Sequence, residues 1–111
     1  MYGKVKIGNT EIEMAANAAS PYVYKSIFHE DFLVEVQKPE VSADIFQKMG
    51  FVMAMQAKES KLSELMKINE AAFYEWLSAF EPMAVLEASG EISNLYMGQT
   101  KKTSSPKKQG G

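Results

Sequence analysis

The chain has 111 residues, of which 46% are hydrophobic, 11% aromatic and 23% charged. This length and composition predict a single globular domain and exclude intrinsic disorder for most of the chain. The absence of cysteine excludes a disulfide scaffold, a zinc ribbon and a thiol nucleophile, and the single histidine, His29, leaves little for metal chemistry.

The charges divide unevenly along the chain. Residues 1–100 hold 8 lysines against 14 acidic residues, a net charge of −6, whereas residues 101–111 hold 4 lysines and no acidic residue. Because residues 101–111 carry no apolar side chain that could join a core, we expect them to form a disordered basic tail. Every basic residue is a lysine and the body is acidic, which disfavours nucleic acid as a partner.

No apolar run approaches the roughly 18 residues that a membrane-spanning helix needs. The residues after Lys4 and Lys6 also lack the apolar stretch of a signal peptide. The sequence therefore predicts a soluble, cytosolic protein that does not associate with a membrane.

Residues 2–14 alternate apolar and charged side chains on either side of Gly8 and Asn9, a pattern typical of a β-hairpin with a two-residue turn. The register predicts these opposite pairs: Val5 and Ile12, Lys6 and Glu11, Lys4 and Glu13. One face of the hairpin is then apolar, and the other carries cross-strand ion pairs. Since an isolated hairpin is marginally stable, its apolar face must pack on other elements.

The rest of the body has helical periodicity, which predicts helices over 21–36, 42–57, 70–80 and 82–97. Ser20 before Pro21 has the form of an N-cap, and Asn69 caps the third helix. The polar residues 29–31 mark a break in the first helix, and Gly90 marks a weak point or a close helix contact in the last. The expected fold is α+β, with residues 1–100 forming a hairpin on a bundle of about four helices.

Residues with catalytic or metal-binding chemistry are scarce. His29, Glu30 and Asp31 are the one cluster of catalytic types, but consecutive helical residues point in different directions, so we interpret them as a polar break. Neither a calcium-type aspartate loop nor a glycine-rich phosphate loop occurs. The sequence thus predicts a protein that is not an enzyme and has no cofactor and no metal.

The helix over 42–57 is apolar nearly all round in its second half, which is typical of a central buried helix or of a helix that meets another subunit. Methionine side chains suit surfaces that repack against several partners, although they also fill cores. We predict Met49, Phe51, Met53 and Met55 as an exposed strip for partner binding or self-association.

Four stretches taken together resemble the tail assembly chaperones of long-tailed phages and prophages of Gram-positive bacteria. They are residues 28–33 (FHEDFL), 51–58 (FVMAMQAK), 73–83 (FYEWLSAFEPM) and 91–97 (EISNLYM), followed by the lysine-rich tail. The resemblance covers roughly residues 5–102, and its motifs are hydrophobic and aromatic.

The resemblance implies a mainly helical chaperone that coats the tape measure protein during tail assembly and is released before the tail is complete. It implies self-association into spirals or rings, the major tail protein as a further candidate partner, a location in the host cytoplasm and absence from the mature virion. It also implies a longer frameshifted form, for which the codons of the lysine tail are candidates.

Two other functions remain open from the residues alone. One is a small cytosolic adaptor or regulatory protein whose helical groove binds a peptide or a partner helix. The other is a nucleic-acid accessory protein that acts through its lysine tail, whose binding would fall steeply with salt.

Overall fold

A computed structural model describes residues 1–98 and confirms the α+β fold, in which an antiparallel hairpin precedes a series of helices. The elements in chain order are β1 (Tyr2–Ile7), β2 (Thr10–Ala15), α1 (Ser20–Phe28), α2 (Phe32–Glu35), α3 (Ile45–Lys58), α4 (Leu62–Leu65), α5 (Glu70–Leu77), α6 (Ala84–Glu87) and α7 (Ser89–Tyr96). The predicted disordered tail, residues 101–111, lies outside the described residues.

The hairpin has the predicted two-residue turn and the predicted register. Gly8 has φ of 62°, which costs glycine little because it lacks a Cβ atom. The opposite pairs are Val5 with Ile12, Lys6 with Glu11 and Lys4 with Glu13. The expected cross-strand ion pairs do not form, since neither lysine–glutamate pair is among the salt bridges of residues 1–98. Exposed lysines gain little from such pairing and stay hydrated.

The apolar face of the hairpin packs on the helices, as its marginal stability requires. Val5, Ile7 and Met14 are buried, and β2 packs along α3. At the open end, Ala16 N–H donates to the Met1 carbonyl oxygen at 2.7 Å and lengthens the ladder. A Cβ atom at Gly98 would lie 3.9 Å from the Met1 side chain, so residue 98 lies beside the first residue of the chain.

The predicted helix over 21–36 is two helices, α1 and α2, separated at the predicted polar break. His29 has φ of 59°, a left-handed conformation that ends α1. Asp31 then starts α2, because its Oδ1 atom accepts hydrogen bonds from Leu33 N–H at 3.0 Å and Val34 N–H at 3.4 Å. The prediction that Ser20 is an N-cap is wrong, since Ala19 occupies the cap position.

Helix α3 is the centre of the fold, with β2, α1, α5, α6 and α7 packed around it. An aromatic cluster joins it to α1 and α5. The ring centroids of Phe28 and Phe73 are 5.0 Å apart, and Phe51 lies 5.6 Å from both Phe73 and Trp76. Edge-on aromatic contacts of this kind add stability beyond the apolar area that they bury.

The polar stretch after α3 contains the short helix α4, and Asn69 caps α5 as predicted, accepting a hydrogen bond from Ala72 N–H at 3.2 Å. The predicted helix over 82–97 is divided at Ala88 into α6 and α7. Of the two possibilities expected at Gly90, a weak point or a close helix contact, the close contact does not form, since no atom outside the backbone of its own helix lies within 4 Å of a Cβ placed there. A close contact between helices occurs instead at Gly50 of α3, where a Cβ atom would be 2.7 Å from the Cδ1 atom of Ile92 on α7.

Candidate partner-binding surface

The residues predicted as an exposed strip lie mainly in the core. Met49 and Met53 are 0% exposed and Phe51 is 1% exposed, whereas Met55 is half-buried against the core. The expectation of an exposed strip is therefore wrong. Other helices and the hairpin surround the middle of α3, so its continuous apolar surface packs within the core. The alternative that the sequence also allowed, a central buried helix, is the observed one.

Large apolar side chains do reach the surface elsewhere in residues 1–98. They are Met1, Tyr2, Tyr22, Leu33, Val34, Val41, Leu62, Met66, Tyr74, Met83 and Met97. Scattered exposed apolar side chains are normal, so only groups of neighbours indicate a binding surface. Two groups contain several such side chains. One lies on α1 and α4, and the other, with Leu33, Val34 and Val41, lies in residues 31–43.

The first group forms what we call the α1–α4 surface, made by Tyr22, Leu62 and Met66, which are 66%, 47% and 38% exposed. Ser26 Oγ donates a hydrogen bond to the Met66 carbonyl oxygen at 3.2 Å, which ties the end of α4 to α1. Tyr22 lies on the same side of α1 as Ser26, four residues earlier. The two helices thus present these apolar side chains together.

A cleft of 260 Å³ adjoins this surface where α1 begins and α3 ends. Its lining residues are Ala15, Asn17, Ala19, Gln56, Glu59, Ser60, Leu62 and Leu65. Leu62 belongs to both the cleft and the α1–α4 surface, so the two are continuous. A cleft of this size admits one or two side chains of a partner.

One wall of the cleft is a polar network that holds α1 against α3. The buried Ser20 hydroxyl donates to Gln56 Oε1 at 2.6 Å and accepts from Asn17 N–H at 3.0 Å. Gln56 Nε2 donates to Asn17 Oδ1 at 3.2 Å. The Ser20 side chain therefore joins α1 to α3, a role that its position beside Pro21 did not indicate. These hydrogen bonds hold that wall of the cleft in place before any partner binds.

The three residues of the polar break have separate roles. His29 is exposed, and Asp31 caps α2. Glu30 joins a cluster in which its Oε1 atom accepts from Tyr24 Oη at 2.6 Å and from Lys48 Nζ at 3.1 Å. Lys48 Nζ also lies 3.2 Å from Asp44 Oδ2. This geometry satisfies the charges of the cluster with one another, which supports a structural role for Glu30.

The cluster shifts the pKa values of its members. Burial acts to raise the pKa values of Glu30 and Asp44, but hydrogen bonds from Tyr24, Lys48 and Ser42 and the charge of Lys48 outweigh it, so both pKa values are lowered. Burial acts to lower the pKa of Lys48, but its two carboxylate partners raise it. Burial and the hydrogen bond to Glu30 raise the pKa of Tyr24, which stays neutral.

These directions predict an acid-sensitive cluster. A carboxyl group whose pKa is lower in the folded state stabilises the fold above its unfolded pKa, 4.5 for Glu30 and 3.8 for Asp44, and this contribution is lost as pH falls through the folded pKa. We expect the urea midpoint to fall between about pH 6 and about pH 3, and to fall less in the Lys48→Met variant. Equal falls in the two proteins would contradict the role of Lys48.

Neither a metal centre nor a membrane span is evident in residues 1–98. This part of the chain contains no cluster of three or more histidine, cysteine, aspartate or glutamate side chains suited to a metal ion. Its helices are also too short or too polar to cross a bilayer. Comparisons with protein-family models, with curated proteins and with solved structures find no match to the chain.

Proposed function

We propose that this protein is a tail assembly chaperone that coats the tape measure protein of a long-tailed phage or prophage through its α1–α4 surface. The observation that carries the proposal is the apolar patch of Tyr22, Leu62 and Met66 beside the cleft. A chaperone for a long helical client needs an exposed apolar surface that a helix can dock against, and methionine tolerates imprecise register.

The sequence resemblance supports the same proposal from a different side. Its four stretches lie in separate parts of the chain, yet they pack against one another. Phe28 contacts Phe73, Phe51 contacts Phe73, and the rings of Phe32 and Tyr96 have centroids 5.1 Å apart. The four stretches therefore contribute to one core, together with residues outside them such as Val5, Met14 and Val85, and this joint packing supports the interpretation of the four stretches as one pattern.

Co-expression with the tape measure protein tests the proposal. We expect this chain to carry the client into the soluble fraction in many copies, and the Leu62→Glu/Met66→Glu variant to reduce client recovery by at least about tenfold, because charge would replace apolar contacts at the centre of the surface. Recovery is measured by pull-down on this chain and by the amount of client that remains soluble.

The matched control is Leu33→Glu/Met83→Glu, which makes the same two substitutions at another exposed leucine and another exposed methionine. Circular dichroism should show all variants folded. Equal recovery with both variants would move the binding site away from the α1–α4 surface. A client that is soluble alone and does not bind would overturn the chaperone function itself.

The cleft favours a second candidate function, that of an adaptor that binds a short peptide. Its polar lining, which includes Asn17 and Gln56, offers hydrogen-bonding groups beside the apolar Leu62 and Leu65. A peptide ligand would bind with a stoichiometry of one, whereas a coating chaperone would bind its long client in many copies. Sedimentation of the purified complex distinguishes the two.

A further inference from the structure

Residues 31–43 form a strap across the surface of α1, α3 and α7. The strap contains the four-residue helix α2, and residues 36–43 have no further helix or strand. Phe32 is the only one of its residues that is fully in the core, while Leu33, Val34 and Val41 are exposed. Val36 is half-buried against the core, so two apolar side chains and the charged residues at the two ends of the strap hold the whole segment.

The first of these contacts is an aromatic slot that receives Phe32. The slot is made by Tyr24 of α1, Phe46 of α3 and Tyr96 of α7, whose ring centroids lie 5.2, 5.7 and 5.1 Å from that of Phe32. Phe46 and Tyr96 are only partly buried even with Phe32 in place. Withdrawal of one side chain would therefore open the slot.

The second contact is Lys48, which binds both ends of the strap at once. Its Nζ atom lies 3.1 Å from Glu30 Oε1, just before the strap, and 3.2 Å from Asp44 Oδ2, just after it. The ammonium group also lies 5.3 Å from the centroid of the Phe28 ring, and the Lys48 side chain is only 13% exposed. The Lys48 ammonium group thus joins the residue before the strap, Glu30, to the residue after it, Asp44.

The segment just before the strap is the C-cap of α1. His29 has φ of 59° and ψ of 32°, the left-handed conformation in which many helices end, and its N–H donates to the Lys25 carbonyl oxygen at 2.9 Å. The regular helix therefore stops before the strap begins. Few anchors are a feature of a segment that opens locally before the rest of a protein unfolds.

We propose that the strap is a gate. It opens about residues 29–30 and 44, withdraws Phe32 from the slot of Tyr24, Phe46 and Tyr96, and unwinds α2, which is too short to persist alone, while the hairpin and the other helices stay folded. The ion pairs of Lys48 with Glu30 and Asp44 determine how often the strap opens. This inference concerns the fold itself and does not depend on the proposed function.

Native-state hydrogen exchange tests the gate. The amides of Glu35 and Val36, which donate to the carbonyl oxygens of Asp31 and Phe32, report on the strap, and that of Met53 reports on α3. We expect the two strap amides to share one opening rate that is faster than that of Met53. Lys48→Met, which keeps an apolar stem but removes the charge, destabilises the closed state relative to both the open-strap state and the unfolded state, so it should speed exchange of the strap amides and of Met53 by the same factor, about tenfold, and keep Met53 the slower of the two.

Lys67→Met is the matched control, because it removes a lysine from an exposed pair with Glu64 on α4 and should leave strap exchange unchanged. Strap amides that exchange together with Met53 would overturn the proposal. So would a Lys48→Met variant whose strap amides exchange within twofold of the unsubstituted chain, since Lys48 would then not hold the strap closed.

Thiol labelling gives a second readout, because the natural chain has no cysteine. A single cysteine at Val36, a half-buried strap residue, should react faster when combined with Lys48→Met, by the same factor as the strap amides. A cysteine at the buried Ala54 of α3 should react far more slowly than one at Val36, with or without Lys48→Met. Equal labelling rates at the two positions would contradict a local gate.

Discussion

Replacing Met53 by glutamate is expected to abolish folding. Met53 is fully buried in the middle of α3, so the new carboxylate would have neither water nor a positive partner. The loss of apolar packing adds to this cost, and a total of roughly 5 kcal/mol or more equals the whole stability of many domains of this size. The measurement is far-UV circular dichroism with a urea titration.

The matched control is Met66→Glu, which makes the same substitution at an exposed methionine of the α1–α4 surface. This variant should remain folded, with a stability change within about 0.5 kcal/mol. A folded, stable Met53→Glu protein would mean that α3 exposes that side chain in solution, as the exposed-strip prediction requires.

Replacing Gly50 by leucine is expected to destabilise the protein by about 3 kcal/mol. The α3 and α7 helices approach so closely at this position that a Cβ atom would stand 2.7 Å from Ile92 Cδ1 and 3.5 Å from its Cγ1 and Cγ2 atoms. Since Ile92 is itself fully buried, its side chain has little room to move away, and overpacking of this kind is costly. Urea unfolding measures the loss.

Two further variants show whether the cause is the contact with α7. Adding Ile92→Ala to Gly50→Leu should cost less than the sum of the two single changes, since the new side chain fills the space that Ile92 vacates. Gly90→Ala, where no neighbouring atom lies within 4 Å, should stabilise by about 0.5 kcal/mol through helix propensity. Additive losses at positions 50 and 92 would place the strain elsewhere.

The hairpin was predictable because its signals are local. The alternation of side chains and the pair Gly8–Asn9 specify the turn and the register together, and the observed pairs match. The division of the first helix was also visible in residues 29–31. The short length of α2 was not predictable from the sequence. It depends on Asp31 capping a new helical turn and on the Phe32 side chain packing against aromatic rings of α1, α3 and α7.

The proposed binding surface was not predictable from the sequence for a different physical reason. A helix that is apolar all round has the same pattern whether other elements or a second subunit cover it, so Met49 and Met53 could not be assigned to core or surface. The α1–α4 surface depends on one contact between residues far apart, the Ser26 hydroxyl on the Met66 carbonyl oxygen, which leaves no periodic signal.

The contact between Met1 and Gly98 makes the two ends of the folded domain different from each other. Both ends of the described chain meet at one pole, next to Ala16 and hence next to the cleft rim at Ala15 and Asn17, while the Gly8–Asn9 turn marks the far end of the hairpin. A bulky fusion joined to Met1, or directly to Gly98, would therefore stand beside the cleft and obstruct a partner there. The same proximity means that a short linker from residue 98 to Met1 would permit a circular permutant of residues 1–98, opened between residues 38 and 41, which are not among the residues that line the cleft.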